Sequence, residues 1–130
     1  MMPGPETLTV ARAAEAIRDE LARGDTDFAL RLLARMVADL RRCAAQDLEA
    51  FVAAPTSTGD GRWDTLIAAV VARECRHRGA STPEWTAVPP LDSWWFPDDD
   101  PVLMARTMQR TPVDLRIKGI WLDGKALESL

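Results

Sequence analysis

The sequence predicts an all-α fold, with an N-terminal helical hairpin and a C-terminal half of short, proline-capped helices around an aromatic-rich loop. Apolar residues in the first half recur with the period of an amphipathic helix. Prolines punctuate the second half and flank three consecutive aromatic residues, which excludes a regular helix at that point. No stretch alternates apolar and polar residues for long enough to predict a strand.

A chain of 130 residues has the size of one domain and can bury a hydrophobic core without staples. We expect a single helical domain over residues 1–130, made of a hairpin over 1–54, a linker over 55–61 and a tryptophan-rich helical half over 62–130. The two cysteines and the lack of a signal-peptide pattern predict buried thiols in a cytoplasmic protein. No apolar stretch is long and uncharged enough to predict a membrane span.

The hairpin consists of two predicted helices, over residues 8–23 and 27–53. Gly24 is placed to end the first helix, and Asp25 or Thr26 can cap the second. The second helix carries a wide apolar stripe, of which the first helix can cover only one side. The other side must meet the C-terminal half or a second molecule. One side consists of Phe28, Leu32 and Met36, which we assign to partner binding, and the other of Leu30, Leu33, Val37 and Leu40.

The second half contains predicted helices over 62–78, 101–110 and 112–118. Gly79 can end the first of these, and Asp99 or Asp100 can cap the second, which opens with a proline. Asp123 can cap a last turn.

The aromatic loop between these helices holds Trp94, Trp95 and Phe96, with prolines before and after them. Aromatic rings bury more area than other side chains, so most of the five tryptophans are expected in the core. All five follow the linker, and interfaces are enriched in tryptophan and arginine. We therefore assign the three aromatic residues, together with Trp121, to partner binding.

No catalytic, metal or cofactor site is predicted. Cys75 and His77 lie two residues apart on a helix, so their side chains point in nearly opposite directions and cannot share a metal ion. The acidic run at Asp98 is better explained as a helix cap than as a magnesium site. No phosphate-binding glycine loop or nucleophile elbow is present. We expect the protein not to be an enzyme.

Binding to nucleic acid is not favoured either. The formal net charge is −4, and the polar side of the second helix alternates acidic and basic residues instead of forming a basic face. A DNA-binding transcriptional regulator remains an alternative, because the first two helices have the outline of a helix-turn-helix. A self-associating structural protein is the other alternative.

Six short motifs in the sequence are distinctive when taken together. They are TSTGDGRWDTL at 56–66, PEW at 83–85, WWFP at 94–97, TP at 111–112, GIWLD at 119–123 and LESL at 127–130. In these motifs the chain resembles, over about residues 27–130, a small actinobacterial family of antitoxin-like or accessory proteins. The resemblance implies a helical region that often follows a repressor-type helix-turn-helix and that serves a nucleotidyltransferase-fold toxin of the abortive-infection type as partner. No helix-turn-helix precedes residue 27, so the resemblance implies a domain that binds and restrains the toxin.

Overall fold

The computed structural model of the protein describes residues 7–98 and 103–128, and this part of the chain is all-α, as predicted. Its two extended segments meet at a single bridge and form no strand within the described ranges. The helices are α1 (Val10–Ala22), α2 (Thr26–Arg42), α3 (Leu48–Phe51), α4 (Gly61–His77), α5 (Met104–Arg110) and α6 (Val113–Arg116). Three 3-10 turns cover Ala45–Asp47, Glu84–Thr86 and Gly124–Leu127.

In the N-terminal part of the chain, α1 packs along α2. Thr9 caps α1, and Asp25 caps α2 by accepting a hydrogen bond from the backbone N–H of Phe28 at 3.0 Å. Gly24 makes the turn between the helices with a φ of 76°, a left-handed conformation that glycine adopts at no steric cost. The backbone N–H of Asp25 then donates to the carbonyl of Glu20, which closes the C-terminus of α1.

The prediction of one long helix over 27–53 is wrong, because α2 ends at Arg42. Cys43 is extended, and a 3-10 turn and the short helix α3 follow it. The Arg78 guanidinium donates to the Leu40 carbonyl at 2.7 Å, a group that a continuing helix would bond internally. The break lets α3 turn back and bury Phe51, whereas a straight helix would carry Phe51 away from the core at 1.5 Å per residue.

The central helix is α4, whose observed bounds agree with the predicted 62–78. It contacts α2, α6 and the 3-10 turn at Glu84–Thr86, and eleven of its side chains are buried. Asp60 caps its start, and Gly79, with a φ of 72°, follows its end. The segment before it, predicted as a linker, lacks regular structure but is bonded to the helix. There the Asp64 carboxylate accepts hydrogen bonds from Ser57 and Thr58.

The short C-terminal helices differ in detail from the prediction. The start predicted for α5 at 101, and the proposed caps Asp99 and Asp100, lie outside the described residues. Helix α6 ends at Arg116 instead of 118, and a turn at Gly119 with a φ of 81° follows. Asp123 caps the last turn as predicted, by accepting from the backbone N–H of Lys125.

A buried ion-pair network joins these elements. Glu74 on α4 is 2% exposed and accepts hydrogen bonds from Arg41 on α2 at 2.7 Å and from Arg73 at 2.9 Å. Asp114 on α6 pairs with Arg76, and Glu128 pairs with Arg41. Because a buried carboxylate is stable only when it is paired and hydrogen-bonded, this network fixes how α2, α4 and α6 meet.

Among residues 7–98 and 103–128, none of the helices has the length and apolar character needed to cross a lipid bilayer.

Candidate protein-interaction site

Two segments without regular secondary structure, residues 91–96 and 118–122, lie next to the N-terminus of α4 and meet at a parallel bridge between Trp95 and Ile120. The backbone N–H of Trp95 donates to the carbonyl of Gly119 at 3.0 Å, and the N–H of Trp121 donates to the carbonyl of Trp95 at 2.9 Å. The N–H of Leu91 donates to the carbonyl of Lys118 at 2.9 Å. The prolines of the aromatic loop exclude a helix, and this short pairing satisfies part of its backbone instead.

The three aromatic side chains of the first segment contact two different groups of rings, which define an inner and an outer face. Trp95 lies on the inner face, where its ring meets the buried ring of Trp63 edge-to-face with centroids 5.7 Å apart. The guanidinium of Arg62 lies 5.1 Å from the Trp95 ring centroid and also pairs with Asp60. Trp95 is therefore held from both sides and half-buried.

Trp94 and Phe96 lie on the outer face, and both contact Trp121. The Trp94 ring meets Trp121 edge-to-face at 5.2 Å, and the Phe96 ring stacks on it at 6.4 Å. The Arg116 guanidinium lies 6.0 Å from the same ring. Trp94 remains 68% exposed, whereas Trp121 is 9% exposed. The outer face is thus a fixed aromatic base that presents one exposed indole.

Trp121 carries a second unusual feature. Its indole Nε1–H is buried and has no hydrogen-bond acceptor in the part of the chain that the structure describes. A buried donor without an acceptor costs about 1–3 kcal/mol. Trp121 packs against the rings of Trp94 and Phe96. The prediction that Trp121 contacts a partner is corrected, because almost none of its surface is accessible.

The predicted residues on α2 separate into three environments. Phe28 is 44% exposed, Leu32 is half-buried against the core, and Met36 is completely buried. The prediction that Met36 contacts a partner is wrong, because the fold itself covers that part of the stripe. The apolar side chains of this stripe become more exposed toward the N-terminus of α2. Of the three predicted residues, only Phe28 is substantially exposed.

The N-terminus of α2 and the aromatic loop face each other across an open cleft of about 220 Å³. Thr26 and Asp27, which directly precede Phe28, line one side of it, and the stretch from Trp95 to Asp98 lines the other. Of the residues predicted for partner binding, Trp95 and Phe96 line this cleft, whereas Phe28, Leu32 and Met36 do not. Sequence reasoning missed Arg62 and Arg116, because no periodicity or motif marks an arginine that will lie over a ring.

A second pocket, of about 250 Å³, lies between α4 and the loop that carries Trp85. Ile67 and Ala68 form part of its wall, and Asp64 is its charged residue. The Asp64 carboxylate already accepts three hydrogen bonds from the preceding segment, so it serves to order that segment. Trp85 is likewise fixed, since its Nε1–H donates to the carbonyl of Val52 at 2.9 Å.

The cysteines do not form a reactive centre. Cys75 is completely buried and Cys43 is half-buried, and both are free thiols. Burial raises the pKa of each thiol, and the nearby positive charge of Arg78 only partly opposes this. Since the thiolate is the nucleophile, a raised pKa disfavours thiol chemistry at neutral pH. The described residues contain no group of three or more metal-ligating side chains.

Comparison with known proteins finds no match for this chain among protein-family models, curated proteins or solved structures. The resemblance of its WWFP and GIWLD motifs to the antitoxin-like family therefore stays a prediction from the sequence.

Proposed function

We propose that the protein is an antitoxin-like interaction domain that binds and restrains a partner enzyme, with a nucleotidyltransferase-fold toxin as the partner class. The observation that carries the proposal is Trp94, an indole that is 68% exposed on a base of packed aromatic rings. Tryptophans of this kind are the most common binding hot spots, because they bury a large area and lose little conformational entropy.

The base beneath Trp94 supports this role. Trp121 meets the Trp94 ring edge-to-face, Phe96 stacks on Trp121, and the backbone of Trp95 is bonded to Gly119 and Trp121. A preorganised anchor loses less entropy on binding than a mobile one, so more of its buried area contributes to affinity. Phe28, which is 44% exposed and follows the cleft residues Thr26 and Asp27 in the chain, adds a second apolar contact in this proposal.

The first test is whether a nucleotidyltransferase is encoded beside this gene, and whether its purified product binds the chain. We expect co-expression of the two proteins to relieve the toxicity of the enzyme. A neighbouring gene of another class, or a nucleotidyltransferase that neither binds nor is inhibited, would contradict the proposal.

The second test is the substitution Trp94→Ala. We expect it to weaken binding to that enzyme by about 30-fold or more, the effect of losing about 2 kcal/mol at a hot spot. The melting temperature should change little, because most of the ring is already in water. Val113→Ala is the matched control, since Val113 is 63% exposed on α6 and should affect neither binding nor melting.

Trp95→Ala gives the opposite pattern. Its ring packs on Trp63, so its removal should destabilise the fold by about 2 kcal/mol or more. Thermal melts and titrations on the two tryptophan variants separate folding from binding. If Trp94→Ala melts as far below the wild type as Trp95→Ala, then Trp94 has a structural role and the proposed anchor is wrong.

A further inference from the structure

The pocket between α4 and the loop that carries Trp85 has largely apolar walls. Ile67 and Ala68 are almost completely buried, and Pro55, Trp85 and Val88 are half-buried. The pocket has a volume of about 250 Å³, whereas pockets for drug-sized ligands span roughly 300–1,000 Å³. It is therefore suited to a ligand of fragment size.

The charge of Asp64, which lines this pocket, is not balanced within the fold. Its carboxylate accepts three hydrogen bonds, but all three donors are neutral: the Ser57 hydroxyl, and the hydroxyl and backbone N–H of Thr58. Asp60 and Arg62, its neighbours in the chain, pair with each other. In the described part of the chain, no lysine, arginine or histidine forms an ion pair with Asp64. A positive charge in the pocket would therefore meet an uncompensated negative one.

The same carboxylate has one acceptor position left. An ionised carboxyl group can accept about four hydrogen bonds, two on each oxygen. Thr58 occupies both positions on Oδ1, at 2.8 and 2.7 Å, whereas Ser57 occupies one position on Oδ2, at 2.6 Å. A donor in the pocket can bond to Oδ2 without displacing either residue. A charged donor is favoured, because charge-assisted hydrogen bonds are about twice as strong as neutral ones.

The Trp85 ring adds a second preference for positive charge. Its Nε1–H donates to the carbonyl of Val52 at 2.9 Å, which fixes the ring and leaves its aromatic surface for contact with a ligand. The face of an indole attracts cations, and the ring also packs well against an apolar body. An anion would gain from neither Trp85 nor Asp64.

From this combination we propose that the pocket binds a small primary amine. Its ammonium group donates to Oδ2 of Asp64, and its apolar body packs against Trp85, Val88 and Ile67. The occupant is a free small molecule, because one charged group on a compact apolar body matches the single carboxylate and the small volume. The proposal depends neither on a partner enzyme nor on Trp94.

The test is a titration of the isotope-labelled wild-type chain, followed by nuclear magnetic resonance, with three probes of similar shape. Benzylamine carries the ammonium group, benzyl alcohol replaces it with a neutral hydroxyl, and benzoate carries the opposite charge. We expect benzylamine to give saturable shifts at the Trp85 indole N–H and the Val88 amide. It should bind about tenfold more tightly than benzyl alcohol, and benzoate should not saturate. Added salt should weaken the binding of benzylamine and not that of benzyl alcohol.

The substitution Asp64→Asn tests the charge directly. It keeps the size of the side chain and a carbonyl oxygen for Thr58, and it removes the negative charge. We expect this variant to bind benzylamine no more tightly than benzyl alcohol. Asp19→Asn is the matched control, since Asp19 is exposed on α1 and does not line the pocket. Thermal melts show whether both variants fold, and the three probes on the wild type decide the question without any substitution.

Three results on the wild-type chain would overturn the proposal. They are the absence of saturable shifts with benzylamine, equal affinity for benzylamine and benzyl alcohol, and shifts confined to Trp94 and Phe96. A folded Asp64→Asn variant that keeps the tenfold preference would overturn it as well. None of these results bears on the partner enzyme, because neither Trp94 nor Phe28 lines this pocket.

Discussion

At the scale of single residues, Glu74 is the most constrained charged side chain in the described structure. Its carboxylate is 2% exposed and lies between Arg41, which approaches with two nitrogens, and Arg73. The hydrogen bond to Glu74 raises the pKa of Arg41 above its usual value, although partial burial opposes this. The negative charge of Glu74 therefore stabilises two guanidinium groups that lie on different helices, Arg41 on α2 and Arg73 on α4.

The substitution Glu74→Gln should destabilise the fold by about 3 kcal/mol, because it removes the buried negative charge and leaves Arg41 and Arg73 with only their less buried partners, Glu128 and Asp114. Urea unfolding measures the loss. Glu20→Gln is the matched control, since Glu20 pairs with Arg23, whose side chain is 71% exposed. Exposed pairs contribute less than about 1 kcal/mol, so equal losses at the two positions would refute the structural role of Glu74.

At the scale of secondary-structure elements, the three long helices each begin at a side-chain cap. Thr9, Asp25 and Asp60 cap α1, α2 and α4, and Asp123 caps the last turn. Because these interactions span two or three residues, local sequence is enough to predict caps such as Asp25 and Asp123, whereas Asp60 was not predicted. Asp60 has a further property. Although burial acts to raise the pKa of its carboxyl, hydrogen bonds from Arg62 outweigh burial and lower that pKa below its ordinary value of 3.8.

Asp60→Ala should cost about 1 kcal/mol of stability at neutral pH, the usual cost of losing a helix cap. Asp60→Asn keeps the capping oxygen and removes only the charge. Because the pKa of Asp60 is lowered on folding, its charge stabilises the fold above pH 3.8, and this contribution is lost as the pH falls through the lower, folded-state pKa. The stability difference between the wild type and Asp60→Asn should therefore vanish in acid. Unfolding curves that differ by a constant amount from neutral pH into acid would contradict this.

The boundary that sequence reasoning missed, at Cys43, depends on contacts between distant parts of the chain. Nothing in the local sequence ends a helix there, and the apolar period continues to Phe51. At this point Arg78, thirty-eight residues from Leu40, donates to the Leu40 carbonyl, a contact that local sequence does not reveal. The same reasoning applies to the candidate site, where periodicity places Met36 and Phe28 on one side of the helix. This periodicity does not reveal that other elements cover Met36 and leave Phe28 exposed.

At the scale of the whole molecule, the charges are arranged for internal pairing. Acidic residues outnumber basic ones by twenty to sixteen, and the arginines of α4 near its C-terminus pair with Glu74 and Asp114. Arg41 is likewise paired, and Arg62 bonds to Asp60. Cations that are paired within the protein are poorly available to phosphate groups. The expectation that nucleic acid is an unlikely partner therefore stays a prediction.

The chain alone should therefore not bind duplex DNA tightly at physiological salt. Fluorescence anisotropy with a labelled duplex measures this, and any binding at low salt should disappear as the salt concentration is raised. A sub-micromolar, sequence-selective gel shift would instead favour the DNA-binding regulator alternative.

The unequal exposure of the five tryptophans has an optical consequence. The chain contains no tyrosine, so its intrinsic emission comes almost entirely from indoles, and of these only Trp94 is mostly exposed to solvent. A water-soluble collisional quencher should reach Trp94 far more often than the other four. Whatever covers Trp94, a second copy or a different protein, should protect that emission from the quencher and shift it to shorter wavelength. The molecule thus carries its own unlabelled reporter for occupancy of this surface.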